Sequence, residues 1–314
     1  MRIILTGAGG FVGRHLARRL LAQGLDGRVV ERLVLADLDP PICDDVRVSR
    51  VAGDLSDPAV RARLVADGAD VLFHLAALPG GAATRDPALS RKVNLDGTLS
   101  LIEAVADARG GGEPPPRVVY TSTIAVLGHP LPTLVDDATP PQPAMTYGTH
   151  KRMVELALDD YRRRGVVDPV AIRLSGILAR PGGASGLKSA FMSDVFHALA
   201  AARPYTCPVS PGATIWAMSL DRCVDNLLHA ATVDGALLPG AVTLPALRVP
   251  MGELVDAIAR RAGTDAGLVD YVPDAVLEAA FGAYPPLATP AADAAGFRHD
   301  GTVDGLVVSA LATL

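Results

Sequence analysis

A short, mostly apolar run at residues 2–6 leads directly into Gly7-Ala8-Gly9-Gly10-Phe11-Val12-Gly13 and then into a helical pattern over 13–23. No other feature constrains the fold as much. A strand, a tight glycine turn and a helix at this spacing make the first half of a βαβ unit whose backbone can approach a phosphate. Gly7 permits the turn, Gly10 lets the backbone close on a pyrophosphate, and Gly13 lets helix and strand pack tightly. The helix start adds unpaired N–H groups and the positive end of the helix dipole. The junction therefore predicts a dinucleotide cradle.

The pattern continues as alternation. Strands are expected at 32–37, 46–53, 71–77, 117–121 and 169–174, and helices at 58–66, 91–108 and 147–164. Strands separated by helices imply right-handed crossovers and a parallel sheet. Val71 to Leu75 would be covered on both faces. The expected fold is α/β: a Rossmann-type doubly wound parallel sheet over 1–178, with a smaller C-terminal substrate lobe over 179–314 interleaved with it. Gly110-Gly111-Gly112 reads as a surface turn, and the Pro-rich stretch 130–143 as a functional loop before the 147–164 helix.

Composition narrows the partners. The net charge of -5 argues against nucleic acid or an anionic membrane. Three cysteines, Cys43, Cys207 and Cys223, lack metal-ligand spacing, so no metal is expected. They fit a reducing cytoplasm. Met1-Arg2 opens no targeting signal, and no apolar stretch is long enough to span a membrane. Only three lysines occur, Lys92, Lys151 and Lys188, which makes each position informative.

One acid ends the second strand. Asp37 lies 24 positions after Gly13, where a carboxylate can accept the ribose hydroxyls of NAD and repel the 2′-phosphate of NADP. Asp54, after the third strand, can meet the adenine amino group or cap the helix that begins at Pro58. Tyr147 and Lys151, at i and i+4, share one helix face. A free phenol titrates near pH 10, so it is a poor base at neutrality. A neighbouring ammonium and the positive nicotinamide of NAD would favour the phenolate. Upstream, the strand at 117–121 runs into Ser122 and Thr123 at the sheet's C-terminal edge, where ligands bind. Either hydroxyl could polarise a substrate oxygen.

These motifs resemble the extended short-chain dehydrogenase/reductase family, which includes nucleotide-sugar epimerases and dehydratases. The matching pieces are GAGGFVG at 7–13, Gly53-Asp54-Leu55, His74-Leu75-Ala76-Ala77, Val93-Asn94-Leu95-Asp96-Gly97-Thr98, the Ser122-Thr123 strand end and YGTHK at 147–151. The resemblance implies that Thr123, Tyr147 and Lys151 are catalytic. It implies a cofactor lining of Gly7, Gly10, Phe11, Val12, Asp37, Asp54 and Leu55. Leu75, Ala76, Ala77, Asn94, Ser122, Leu174 and Ile177 continue that lining, with Tyr147 and Lys151. His74 is expected to be structural. A homodimer built on the 91–108 and 153–164 helices is also implied.

A closer likeness, over most of the chain, is to family members that oxidise a small polyhydroxy acid at C2. It rests on the 122–126 and 146–149 segments, on 161–168, on Arg180-Pro181-Gly182 and on 226–231. Ser175 departs from it where a proline is expected, and 212–219 lacks expected histidines. A nucleotide-sugar epimerase or dehydratase must hold a diphosphate, yet Arg203 is the only Arg or Lys between Lys188 and Asp221. Leu127 also stands where sugar epimerases carry tyrosine. A sugar acid oxidised with NAD is therefore expected, bound by Ser122, Thr123, Tyr147 and Arg180, with Lys188 a second candidate for its carboxylate. A non-catalytic dinucleotide sensor remains the alternative of another class, although it would have no use for the Tyr147–Lys151 pair. Residues 297–300 are expected to close the C-terminal lobe.

Overall fold

The computed structural model describes residues 1–109, 113–181 and 188–314. The expected turn at Gly110–Gly112 and the position of Gly182 lie outside the described residues. The chain begins with β1 (Arg2–Thr6), α1 (Phe11–Gln23), β2 (Arg32–Asp37), β3 (Val48–Ala52), α2 (Pro58–Val65) and β4 (Val71–His74). Two short helices follow, α3 (Gly80–Arg85) and α4 (Pro87–Ser90). A π-helical stretch, Arg91–Gly97, then leads into α5 (Thr98–Asp107). The single helix expected over 91–108 is thus two segments. Within the first, the Asn94 amide bonds the backbone of Leu78 rather than facing solvent. β5 (Arg117–Thr123), α6 (Thr146–Arg163) and β6 (Asp168–Leu174) complete the alternation.

Seven parallel strands form the central sheet, in the order β10-β6-β5-β4-β1-β2-β3, where β10 is Val242–Thr243. The crossovers reverse direction between β1 and β4, which opens a crevice at the C-terminal ends of those strands. Side-chain alternation puts Ile3, Leu5, Leu33, Leu35 and Phe73 on one face, against Leu16 and Leu20 of α1. Ile4, Val34, Leu72, Val118 and Tyr120 face the other way, against Leu101 of α5 and Val154 and Leu158 of α6. Coverage on both faces removes alternation in hydropathy and leaves runs such as Val71–His74 buried throughout.

Most of the remaining chain packs around a second apolar cluster that includes Phe196, Trp216, Leu254 and Leu306, while Cys223, Leu227 and Ala292 return to the first. Its elements are β7 (Gly176–Ile177), α7 (Phe191–Ala200), β8 (Tyr205–Cys207), β9 (Thr214–Met218), α8 (Leu220–Ala230), β11 (Leu247–Pro250) and α9 (Met251–Ala262). β12 (Val269–Tyr271), α10 (Ala275–Phe281), α11 (Pro290–Ala294) and α12 (Val303–Leu311) complete the chain. The Pro-rich stretch is docked there: Val135 N donates to Pro286 O at 3.0 Å, and Ala288 N to Val135 O at 2.8 Å. Within 297–300, Phe297 is fully buried in the cluster of the central sheet, and Asp300 accepts from Ser219 N and Oγ. Among the described residues no helix is long and apolar enough to cross a membrane.

Candidate active site at the sheet's C-terminal edge

The glycine loop is built for close approach. Gly7 has φ +71°, and a Cβ there would lie 2.7 Å from Ala76 N. A Cβ on Gly13 would lie 2.1 Å from Gly7 O, so only glycine lets α1 meet the turn. Gly10 is the N-cap of α1 and has no capping side chain, and the first turn holds no acid. Its free N–H groups fit a pyrophosphate. Phe11 and Val12, in that first turn, are half-buried. Asp37 ends β2, and its Oδ2 accepts from Gly9 N at 2.9 Å, so the carboxylate is fixed against the loop. These residues fit the diphosphate and one ribose of NAD.

Asp54 does not cap α2; Asp57 does, accepting from Ala59 N at 2.8 Å. Asp54 instead accepts from Ser56 N and pairs with Lys92 at 3.2 Å, and these bonds hold its carboxyl below the usual range. Leu55, half-buried, offers its carbonyl to Arg61. Leu75, Ala76 and Ala77 form the turn out of β4, against Gly7. Ile177 lies in the apolar core, and Leu174 is partly buried against it.

His74 is locked between two hydroxyls, Thr6 Oγ1 at 2.8 Å and Thr98 Oγ1 at 3.0 Å. Burial, with Lys151 nearby, lowers it to about 3, so it stays neutral. It ties β1, β4 and α5 together and stands in the structural role expected of it.

Tyr147 and Lys151 lie one turn apart on α6, with the Lys151 ammonium 5.8 Å from the Tyr147 ring centre. Lys151 is buried, donates to Thr121 O at 2.7 Å and sits 4.5 Å above the Tyr120 ring. Burial lowers it to about 7, while the charge of Glu155 raises it. Tyr147 departs from the expectation of a lowered phenol. Burial pushes it up to about 12, and the opposing influence is the positive charge of Arg180. In the protein alone, desolvation of the phenolate outweighs the nearby cations.

The two hydroxyls at the end of β5 have different fates. Ser122 is buried and its Oγ donates to Glu155 Oε1 at 2.5 Å, so its single proton is committed. Thr123 is half-buried, and its Oγ1 accepts from Ala125 N at 3.1 Å, which leaves its own proton free to donate. Arg180 follows the left-handed residue Ala179 (φ +55°), and its Nε donates to Ile177 O at 3.1 Å. Arg180 is an exposed residue, yet desolvation lowers the pKa of its guanidinium, with Cys223 and Tyr147 opposing that. Lys188 is exposed. Ser175 is buried, and its Oγ has no hydrogen-bond partner among the described residues.

Sequence reasoning passed over Glu155, Arg173 and Tyr120. The signal was present for Glu155: it continues the 147, 151 spacing by four more residues, which puts a carboxylate on a buried face.

The chain is similar to several known proteins along most of its length. A D-erythronate dehydrogenase from Cupriavidus necator is 37% identical over 98% of this chain and 97% of its own length. A second D-erythronate dehydrogenase, from Haemophilus influenzae, is 32% identical over 84% of this chain and 83% of its own. A solved structure described as a nucleoside-diphosphate-sugar epimerase, from Agrobacterium tumefaciens, superposes with a TM-score of 0.90 at 34% identity, covering 98% of this chain and 92% of that one. The model of the NAD dependent epimerase/dehydratase family matches residues 3–210, which hold the glycine loop, Asp37 and the Tyr147–Lys151 pair. With that match and relatives of this identity along nearly its whole length, the chain belongs to the NAD dependent epimerase/dehydratase family.

Proposed function

We propose that the protein oxidises the C2 hydroxyl of a small polyhydroxy acid with NAD, converting D-erythronate to 2-dehydro-D-erythronate. The observation that carries the reaction type is the buried Lys151 ammonium under the half-buried Tyr147, beside a Thr123 hydroxyl with a free proton. The names of the two dehydrogenase relatives support the substrate. The glycine loop at Gly7, Gly10 and Gly13 would hold the pyrophosphate and Asp37 a ribose, and the half-buried Phe11 and Val12 would line the same cleft. Bound NAD supplies the hydride acceptor and one further positive charge.

The chain's own groups handle the proton. Thr123 donates to the substrate oxygen and orients it. The Tyr147 phenolate removes the hydroxyl proton, and Lys151 and Arg180 supply the positive charge that the phenolate needs. Arg180 also binds the substrate carboxylate, a pairing for which a guanidinium is well shaped. The left-handed residue before it supports this, since such backbone collects at functional sites. Ser122, its proton engaged by Glu155, supports the strand end rather than the substrate.

The epimerase description of the 34%-identical structure favours a second reading, a nucleotide sugar. Against it stands the absence of any Lys or Arg over 204–220 to meet a diphosphate. NADH formation by purified protein, across four- to six-carbon sugar acids and a set of nucleotide sugars, tests both. Turnover on D-erythronate that falls about two to four decades in Tyr147→Phe is expected. Silence on every acid would overturn the substrate reading.

A homodimer is part of the proposal. Val154 and Leu158 of α6 are buried against the sheet, whereas Met153 and Leu156 of α6 and Leu89 of α4 are exposed, which supports an outer face for a second copy. Three free thiols support a cytoplasmic location, and the net negative charge weighs against a nucleic-acid partner.

A further inference from the structure

One turn beyond Lys151, α6 carries another buried polar side chain. Glu155 has no solvent exposure, and both its oxygens are saturated. Oε1 accepts from Ser122 Oγ at 2.5 Å and Arg173 Nε at 2.9 Å, and Oε2 from Arg173 Nη2 and Arg152 Nη1, each at 2.9 Å. Burying a carboxylate is costly, and such pairs are weak stabilisers. Its placement gives it another use. Lys151 holds the carbonyl of Thr121 and Glu155 holds the hydroxyl of Ser122. Two successive turns of α6 therefore grip two successive residues of β5, and the next residue is Thr123.

We propose that Glu155 is a positioning residue for the proton relay: it keeps Lys151 charged inside an apolar wall and, through Ser122, fixes the strand end that presents Thr123. The inference rests on the reading of Tyr147 and Lys151 as the relay. The groups facing Lys151 leave Glu155 as the anion that sustains its charge. From β4, His74 is neutral. From β5, Tyr120 is a buried phenol raised well above its ordinary value, and Thr121 offers a carbonyl. From α6 itself comes Tyr147, also held protonated. Arg173 on β6 and Arg152 on α6 bind Glu155 and moderate its field.

The three lysines make a direct test possible. Lysine labelled with carbon-13 at Cε gives three resonances, and Lys92→Arg and Lys188→Arg assign them. Lys151 is expected to titrate well below the other two. Glu155→Gln keeps the shape and removes the charge, and should lower the Lys151 midpoint by about one pH unit or more. Arg152→Gln frees the field of Glu155 and should raise it by about a few tenths of a unit. The alkaline limb of kcat should move in the same two directions. A Lys151 midpoint unchanged in folded Glu155→Gln overturns the proposal, as do shifts of the same sign in both variants. Arg152 is partly exposed, so its variant keeps the test open if Glu155→Gln does not fold; an unchanged midpoint there also overturns it. The resonance is read without substrate. A moved midpoint beside an unmoved kcat limb would count against the relay reading and leave the grip of Glu155 standing.

Discussion

Lys151 shows what the site costs the fold. A buried ammonium lowered to about 7, against 10.5 when free, is destabilising at neutral pH, because the unfolded chain holds that proton more easily. Lys151→Met should therefore abolish turnover and raise the stability at pH 7 by about 1–3 kcal/mol, read from denaturant unfolding. A stability equal to or below that of the wild type would show that the Thr121 bond outweighs desolvation. His74 runs in the other pH range. Its folded value of about 3 lies below the ordinary 6.5, so between these values the unfolded chain binds the extra proton. Stability falls as pH drops from 6.5 towards 3, at up to about 1.4 kcal/mol per unit from this group. In His74→Gln that slope should be shallower, and parallel pH curves for the two proteins would refute the assignment. Both residues could be named from sequence, but their titration could not. The 147, 151 spacing suggests a lowered phenol, and only the packing of Tyr147 reveals that desolvation prevails in the protein alone.

At the scale of elements, the glycine loop was the most legible part, because its residue types have no substitute. A Cβ on Gly13 would press to 2.1 Å on the carbonyl of Gly7, and its nearest neighbours are all backbone atoms. Gly13→Ala should cost about 1–3 kcal/mol of stability. It should also weaken NAD binding, measured by calorimetry, because α1 must move off the turn. Native affinity in that variant would mean that the loop is not the cradle. Strand centres were legible for a related reason: residues buried on both faces must be apolar. Ends were less so. β4 stops at His74, before the expected 77, where the backbone of Leu75 and Ala76 passes against Gly7, and β5 extends to Thr123 through polar residues. The division of 91–108 into a π-helical and an α-helical part was not legible, since it depends on Asn94 reaching Leu78 across the fold. The spacing of Glu155 was legible, but its meaning comes from Ser122 on β5 and Arg173 on β6.

At the scale of the molecule, residues 179–314 are woven into the sheet-bearing part. β10 pairs with β6, and α8 lies on α1 through His15–Asp221 at 2.7 Å and Arg19–Asp225 at 2.8 Å. An interleaved lobe was expected, but a two-residue edge strand carries too little pattern to be read from sequence, so the place where the chain returns to the central sheet was hidden. That weaving sets Arg180, just past β7, near both Tyr147 and Cys223 of α8. If Arg180 receives the acid group, removing its charge should act on one ligand alone. Arg180→Gln should raise KM for D-erythronate by about ten- to a hundredfold, the loss of a charge-assisted pair. The Kd for NAD should hold, because Gly7, Gly10 and Asp37 follow β1 and β2, which β4 and β5 separate from β6 in the sheet. A matched polyol without the carboxylate should lose only the smaller part that the charge of Arg180 lends the Tyr147 phenolate, which separates the carboxylate contact from that electrostatic one. Equal KM values for the acid would remove Arg180 from the substrate site. An equal loss on acid and polyol, with the acid limb of kcat moved to higher pH, would leave Arg180 as an electrostatic partner of the Tyr147 phenolate alone, with no carboxylate contact.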